Sequence, residues 1–177
     1  MNDMQTQEAS VTVLVDLPLA RAWQQLQDFS LAHNYVPNLT RTEIVSELQS
    51  GVGAHRRVYT GNKYLEETIV EWREGQGFSI KLHKGSKPMS PFSLAEFIYR
   101  LGEQGQQQTR IDLSLRFAMP WGGLGRLLGG AVILPVMRKQ LVQVAAGMKH
   151  FYETGNPATD DDRKRLAGAV QVGSASQ

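Results

Sequence analysis

Apolar residues alternate with polar ones through the middle of the chain and recur by threes and fours toward its end, so strands are expected first and a long helix last. Residues 11–17, Val-Thr-Val-Leu-Val-Asp-Leu, read as a strand. Pro18 then opens a helix over 19–29 that puts Leu19, Ala22, Trp23, Leu26 and Phe29 on one side. A second, short helix is expected over 30–35, before Pro37 biases Val36 away from helical geometry. From Thr40 to Met119 the pattern predicts strands over 40–48, 54–60, 63–72, 77–84, 93–101 and 109–119, with turn-forming residues between them. Short connections between antiparallel neighbours make a meander. In its last strand Ile111, Leu113, Leu115, Phe117 and Met119 share one face and Arg110, Asp112, Ser114 and Arg116 the other, so one side of the sheet meets water. Over 93–101 the alternation is unclear, and either Phe97 and Tyr99 or Glu96, Ile98 and Arg100 point inward. Beyond Pro120, Leu127, Gly130, Leu134, Met137, Leu141, Val144, Met148 and Phe151 form an unbroken helical stripe, which Pro135 is expected to kink or divide near Leu134.

The hairpin over 54–70 carries the most distinctive chemistry. Gly61-Asn62 is a two-residue loop that fixes the register of its flanking strands. If Thr60 pairs with Lys63, then Val58 faces Leu65, Arg56 faces Glu67 and Ala54 faces Ile69, all on one side. The opposite side carries His55, Arg57, Tyr59, Tyr64, Glu66 and Thr68, with Arg57 against Glu66, as suits a solvated surface. An Arg56–Glu67 pair on an apolar face is either a structural ion pair at a sheet margin, worth roughly 0.2–1 kcal/mol, or the polar lining of a ligand pocket. A packed core would not readily take it, because desolvation costs several kcal/mol per ion. A hollow, water-containing sheet would.

Composition narrows the functions. The chain has 177 residues, enough for one domain with a sizeable core. Its net charge is +2, and its basic residues are interspersed with acidic ones rather than gathered beside aromatics, so no nucleic-acid partner is expected. There is no cysteine, and the four histidines, His33, His55, His83 and His150, lie far apart in sequence, so neither a metal nor another cofactor is predicted. Met1 to Ser10 lack the features of a secretory signal, which makes a cytoplasmic location the expectation. Trp121 to Met137 is nearly all apolar but is interrupted by Arg126 and Pro135 and falls short of the roughly 20 residues of a span. Stable membrane insertion is therefore not expected, while transient membrane contact stays open. Residues 1–9 are read as a flexible N-terminus, 10–153 as one domain and 154–177 as a mobile tail. Oligomeric state has no sequence signature here.

This order of elements resembles the START-like or SRPBCC superfamily, and within it the polyketide cyclase/dehydrase-like branch. The resemblance rests on Val13 to Ala22, Tyr35-Val36-Pro37-Asn38-Leu39, Gly51-Val52-Gly53-Ala54-His55-Arg56-Arg57 and Leu65-Glu66-Glu67-Thr68-Ile69-Val70-Glu71-Trp72. It implies an α+β helix-grip: a curved antiparallel sheet of about seven strands wrapped around a long C-terminal helix, with two short helices after the first strand. It also implies an internal cavity for an apolar ligand. The candidate lining is Arg56, Val58, Leu65, Glu67, Ile69, Leu113, Leu115 and Phe117 from the sheet, with Met137, Leu141 and Val144 from the helix. The leading expectation is binding or carriage of a small hydrophobic molecule of the lipid, isoprenoid or aromatic polyketide class, oriented by Arg56 and Glu67. The alternative is a cyclase, aromatase or dehydratase with Glu67 as general base and Arg56 steadying developing negative charge. A third reading makes the 121–137 segment a membrane or dimer contact.

Overall fold

The structure, a computed structural model, describes residues 6–173. Strand β1 (Gln7–Val15) leads into helix α1 (Leu19–Gln27) and a single 3-10 turn at Ala32–Asn34. Then come β2 (Arg41–Ile44), β3 (His55–Thr60), β4 (Lys63–Arg73), β5 (Gly77–Lys84), the two-residue β6 (Lys87–Pro88), β7 (Leu94–Glu103) and β8 (Thr109–Ala118). Helices α2 (Gly122–Leu128), α3 (Leu134–Thr154) and α4 (Asp160–Leu166) and a short β9 (Gln171–Val172) complete the chain.

The strands form one antiparallel sheet in the order β2-β3-β4-β5-β7-β8-β1-β9, with β6 paired beside β5. The first seven long strands match the meander the pattern predicts, and β6 and β9 are additions too short to leave a periodic trace. Because β1 pairs with β8 while β2 lies at the far edge, residues 16–40 must cross the concave face from one side of the sheet to the other. That crossing carries Phe29 and Tyr35 over the hairpin. It is pinned by Glu74, whose two carboxylate oxygens accept the indole N–H groups of Trp23 on α1 and Trp72 on β4, each at 2.9 Å. Trp72 faces inward because the β4–β5 register shifts between Ile69 and Glu71, and a bulge of this kind both bends its strand and reverses the faces beyond it.

On β7 the inward residues are Ala95, Phe97, Tyr99 and Leu101, paired with Phe117, Leu115, Leu113 and Ile111 of β8. Alternation is blurred there because Ile98 is buried on the opposite face, and Glu96 and Arg100 are ion-paired with Arg116 and Glu71.

The helical stripe is divided as Pro135 requires. One π-helical turn over Gly129–Ile133 separates α2 from α3, with the Leu134 N–H donating to the Gly129 carbonyl five residues back. From Leu141 onward α3 is sunk into the core, across β1 and β8, burying Leu141, Val144, Ala145, Met148, Phe151 and Tyr152. Its approach is different: Trp121, Leu124, Leu127, Leu128, Val132 and Val136 are exposed. The helical run Gly122–Thr154 has the length and hydropathy of a membrane-crossing helix, more than the 121–137 segment alone indicated, although its C-terminal half is committed to the core.

Two expectations are corrected at the termini. Strand β1 begins at Gln7, where Gln7, Glu8 and Ala9 pair with Phe117, Arg116 and Leu115, so these residues are not a flexible leader; residues 1–5 lie outside those described. The mobile tail from 154 is also wrong as far as Gly173, and 174–177 lie outside the described residues. Gly155 ends α3 in the left-handed conformation (φ 76°), and Thr159 and Asp162 form a reciprocal capping box that starts α4. Asp160–Asp162 at its first turn and Arg163–Arg165 at its last suit the helix dipole. The Arg163 side chain is buried against α3, and β9 then adds to β1 at Val11 and Thr12.

Gly147 lets α3 approach the crossing segment. A Cβ there would stand 2.2 Å from the Tyr35 carbonyl oxygen. Gly147→Ala is therefore expected to lose about 1–3 kcal/mol or more in urea unfolding. Gly168→Ala, where a Cβ meets open space, serves as the control and should change stability by less than about 0.5 kcal/mol.

Candidate functional site

Register brings Arg56 of β3 opposite Glu67 of β4, as the Gly61-Asn62 loop requires. Both side chains point to the concave interior, with Arg56 1% and Glu67 8% exposed. The guanidinium donates through Nε (2.6 Å) and Nη2 (2.5 Å) to one carboxylate oxygen, Glu67 Oε2. Its Nη1 donates to the Phe29 carbonyl oxygen at 2.6 Å, just past the end of α1, where a cation also meets the negative pole of the helix. Its carbon lies 3.9 Å from the centroid of the Phe29 ring, a cation–π contact in a desolvated setting. Burial is the strongest single influence and opposes the charge of Arg56, yet the Glu67 carboxylate together with Tyr35 and Tyr99 more than offsets it and holds the guanidinium pKa above its ordinary value.

Three tyrosines gather around this pair. Tyr35 comes from the crossing segment, Tyr99 from β7 and Tyr152 from α3, and all three are buried. The Tyr35 hydroxyl meets both Tyr99 and the Arg56 guanidinium. Desolvation pushes the pKa of Tyr35 up and those of Tyr99 and Tyr152 well up, so all three stay neutral phenols throughout the ordinary pH range. Sequence reasoning passed over them as site residues. Tyr35 stood in a quoted motif, Tyr99 lay in the strand of unclear phase, and Tyr152 is next to the Phe151 of the helical stripe.

The predicted lining divides in two. Arg56, Val58, Leu65, Glu67 and Ile69 cluster on the β3–β4 hairpin. Leu113, Leu115 and Phe117 lie on β8, three strand spacings from β4 and four from β3, about 14–19 Å along the sheet before curvature. Leu141 and Val144 are buried on α3, over β1 and β8, while Met137 and Leu65 are only partly buried at the margin of the same core. The polar end of the interior is thus the hairpin, and the apolar end lies under the helix.

On the convex face the Arg57–Glu66 pair forms at 3.4 Å, as register predicts, but Glu66 is buried rather than solvated. It accepts the Gly85 N–H from the loop after β5, and that bond is the main reason its carboxyl sits below the usual range. No group of three residues able to hold a metal ion occurs among the described residues.

A curved antiparallel sheet gripping a terminal helix, with charged and phenolic groups turned into the space between, defines a helix-grip protein. The chain belongs to the family described as polyketide cyclase / dehydrase and lipid transport, whose model matches residues 6–149. Its fold is similar to that of Ara h 8.0201 (TM-score 0.63, 16% identity, covering 84% of this chain and 98% of that one). It is also similar to a START superfamily protein from Mycobacterium smegmatis (TM-score 0.63, 13% identity, 81% and 95%). DynU16, from the dynemicin biosynthetic locus, shares the fold over 85% of this chain and 48% of its own (TM-score 0.59, 14% identity). At such identities the likeness is one of fold. No curated protein matches the sequence.

Removing one partner of the buried pair leaves an uncompensated charge. Glu67→Leu is expected to cost about 3–5 kcal/mol in urea unfolding, whereas Arg56→Met/Glu67→Leu together should fall within about 1–2 kcal/mol of the wild type or exceed it. A single-variant loss below about 1 kcal/mol would show that the two charges are not interdependent.

Proposed function

We propose that the protein binds or carries a small hydrophobic molecule, of the lipid, isoprenoid or aromatic polyketide class, between the concave sheet and α3. The observation that carries this reading is the placement of the Arg56–Glu67 pair at one end of an otherwise apolar interior. A buried ion pair is weak evidence for stability, since apolar replacements are often neutral or better. Recognition of a ligand's polar end gives both charges a purpose. The family's description, which includes lipid transport, agrees with it.

General-base catalysis by Glu67 is the weaker reading. Two guanidinium nitrogens already bond to Glu67 Oε2, and a proton taken up on Oε1 would cancel the charge that balances the buried Arg56. Glu67→Gln separates the two cases. It keeps an oxygen for Arg56, so a carrier should retain ligand with altered affinity, whereas an enzyme should keep ligand and lose turnover. Native mass spectrometry of the purified protein with a fluorescent fatty acid, an isoprenoid alcohol and an aromatic polyketide is expected to show a one-to-one complex with at least one of them. Failure with all three would reject the proposal.

One further observation favours delivery at a membrane surface. Trp121 (61% exposed), just before α2, and Leu124 (65%) and Leu127 (67%) on it present apolar surface, and the sequence from Leu113 to Tyr152 contains five Lys and Arg residues and no acidic one. Flotation with anionic liposomes should carry the wild type upward in low salt, and Leu124→Glu/Leu127→Glu should abolish it. Equal flotation of both proteins would discard this extension.

A further inference from the structure

Among the buried polar groups of the interior, the Tyr152 hydroxyl stands out because no hydrogen-bond partner for it exists among the described residues. Tyr152 is 3% exposed. A phenol buried without a partner carries the full desolvation cost of its O–H, a cost that phenylalanine of the same shape would avoid. A purely structural ring at this position therefore has no use for the oxygen.

The surroundings are built. Tyr152 meets the Tyr35 ring edge to face, with centroids 6.2 Å apart. Tyr35 is fixed in turn by the close approach of its carbonyl to Gly147, five residues before Tyr152 on the same helix. Tyr99 donates its hydroxyl to the Tyr35 oxygen, which also accepts from Arg56, so the hydroxyls of those two phenols have partners while that of Tyr152 has none. Three separate elements thus converge on one point, and the hydroxyl left without a partner is the one on the helix.

The charge at that point selects among ligands. Glu67 compensates Arg56, so the cluster has no net positive charge to offer an anion. A carboxylate or phosphate brought beside it would be a buried charge without a counter-ion. A neutral carbonyl oxygen needs only a donor.

We propose that the Tyr152 hydroxyl donates a hydrogen bond to the carbonyl oxygen of a neutral, otherwise apolar ligand, such as a ketone, ester or quinone. This rests on the interior-ligand reading above and adds to it the chemical class of the ligand's polar end.

The test compares 2-acetylnaphthalene, 2-isopropylnaphthalene and 2-naphthoate, which share a ring and differ at one group, in NMR titrations of the wild type and Tyr152→Phe. Removal of the hydroxyl should weaken the ketone about tenfold and change the hydrocarbon by less than about twofold. The wild type should bind naphthoate more weakly than the ketone. Equal effects of Tyr152→Phe on ketone and hydrocarbon, or naphthoate binding as tightly as the ketone, would overturn the inference while leaving the interior-ligand reading intact. Binding of none of the three would overturn both. Ligand-free Tyr152→Phe gives an independent readout: relieved of an unpaired group, it should melt about 2–4 °C higher than the wild type. A lower melting temperature would show that the hydroxyl is already satisfied in the free protein and would overturn the inference.

Discussion

The Arg56 guanidinium lies almost wholly out of water, and the groups that answer it come from distant parts of the chain. Glu67 neutralises it from the neighbouring strand, the Phe29 carbonyl and ring meet it from the end of α1, and Tyr35 reaches it from the segment that follows. An unanswered charge in such a place would consume a large share of the net stability of a typical domain. The constraint is therefore reciprocal: the hairpin cannot bury Arg56 unless the crossing segment is seated, and the crossing segment owes its path partly to the cation beneath it.

From this centre the interior becomes graded. Phenols surround the ion pair, and from one of them, Tyr99, ring contacts run to Phe97 and through Phe78 to Trp72. Gly147 sets how closely α3 approaches, and so decides where Tyr152 stands relative to Tyr35. Such a gradient suits a molecule with one polar end and an apolar body.

Much of the architecture was legible because it rests on local rules. The Gly61-Asn62 turn fixed the Arg56–Glu67 register without any tertiary knowledge, since a one-residue slip would have exchanged the faces. Pro135 announced the division of the last helix for a similarly local reason. What stayed hidden depends on contacts between distant residues. Asp160–Arg165 fell within the expected mobile tail, yet Thr159-x-x-Asp162 is a capping-box spacing, and only the packing of Arg163 against α3 shows that the helix is held in place. The same holds for the tyrosines: an aromatic residue beside a helical stripe or in a strand of mixed phase is indistinguishable from core until the ion pair is located in space.

The ordered C-terminus has a further consequence for how copies of this protein meet. Strand β1 pairs with β8 on one flank, and its other flank would be a row of free peptide groups able to template a neighbouring chain. Gln171 and Val172 pair with it at two positions, the Gly173 N–H takes the Ser10 carbonyl, and the Lys149 ammonium takes that of Leu14. Twenty residues that look expendable in a linear reading thus act as a selvedge, finishing a border that would otherwise invite strand-to-strand adhesion when many copies crowd together.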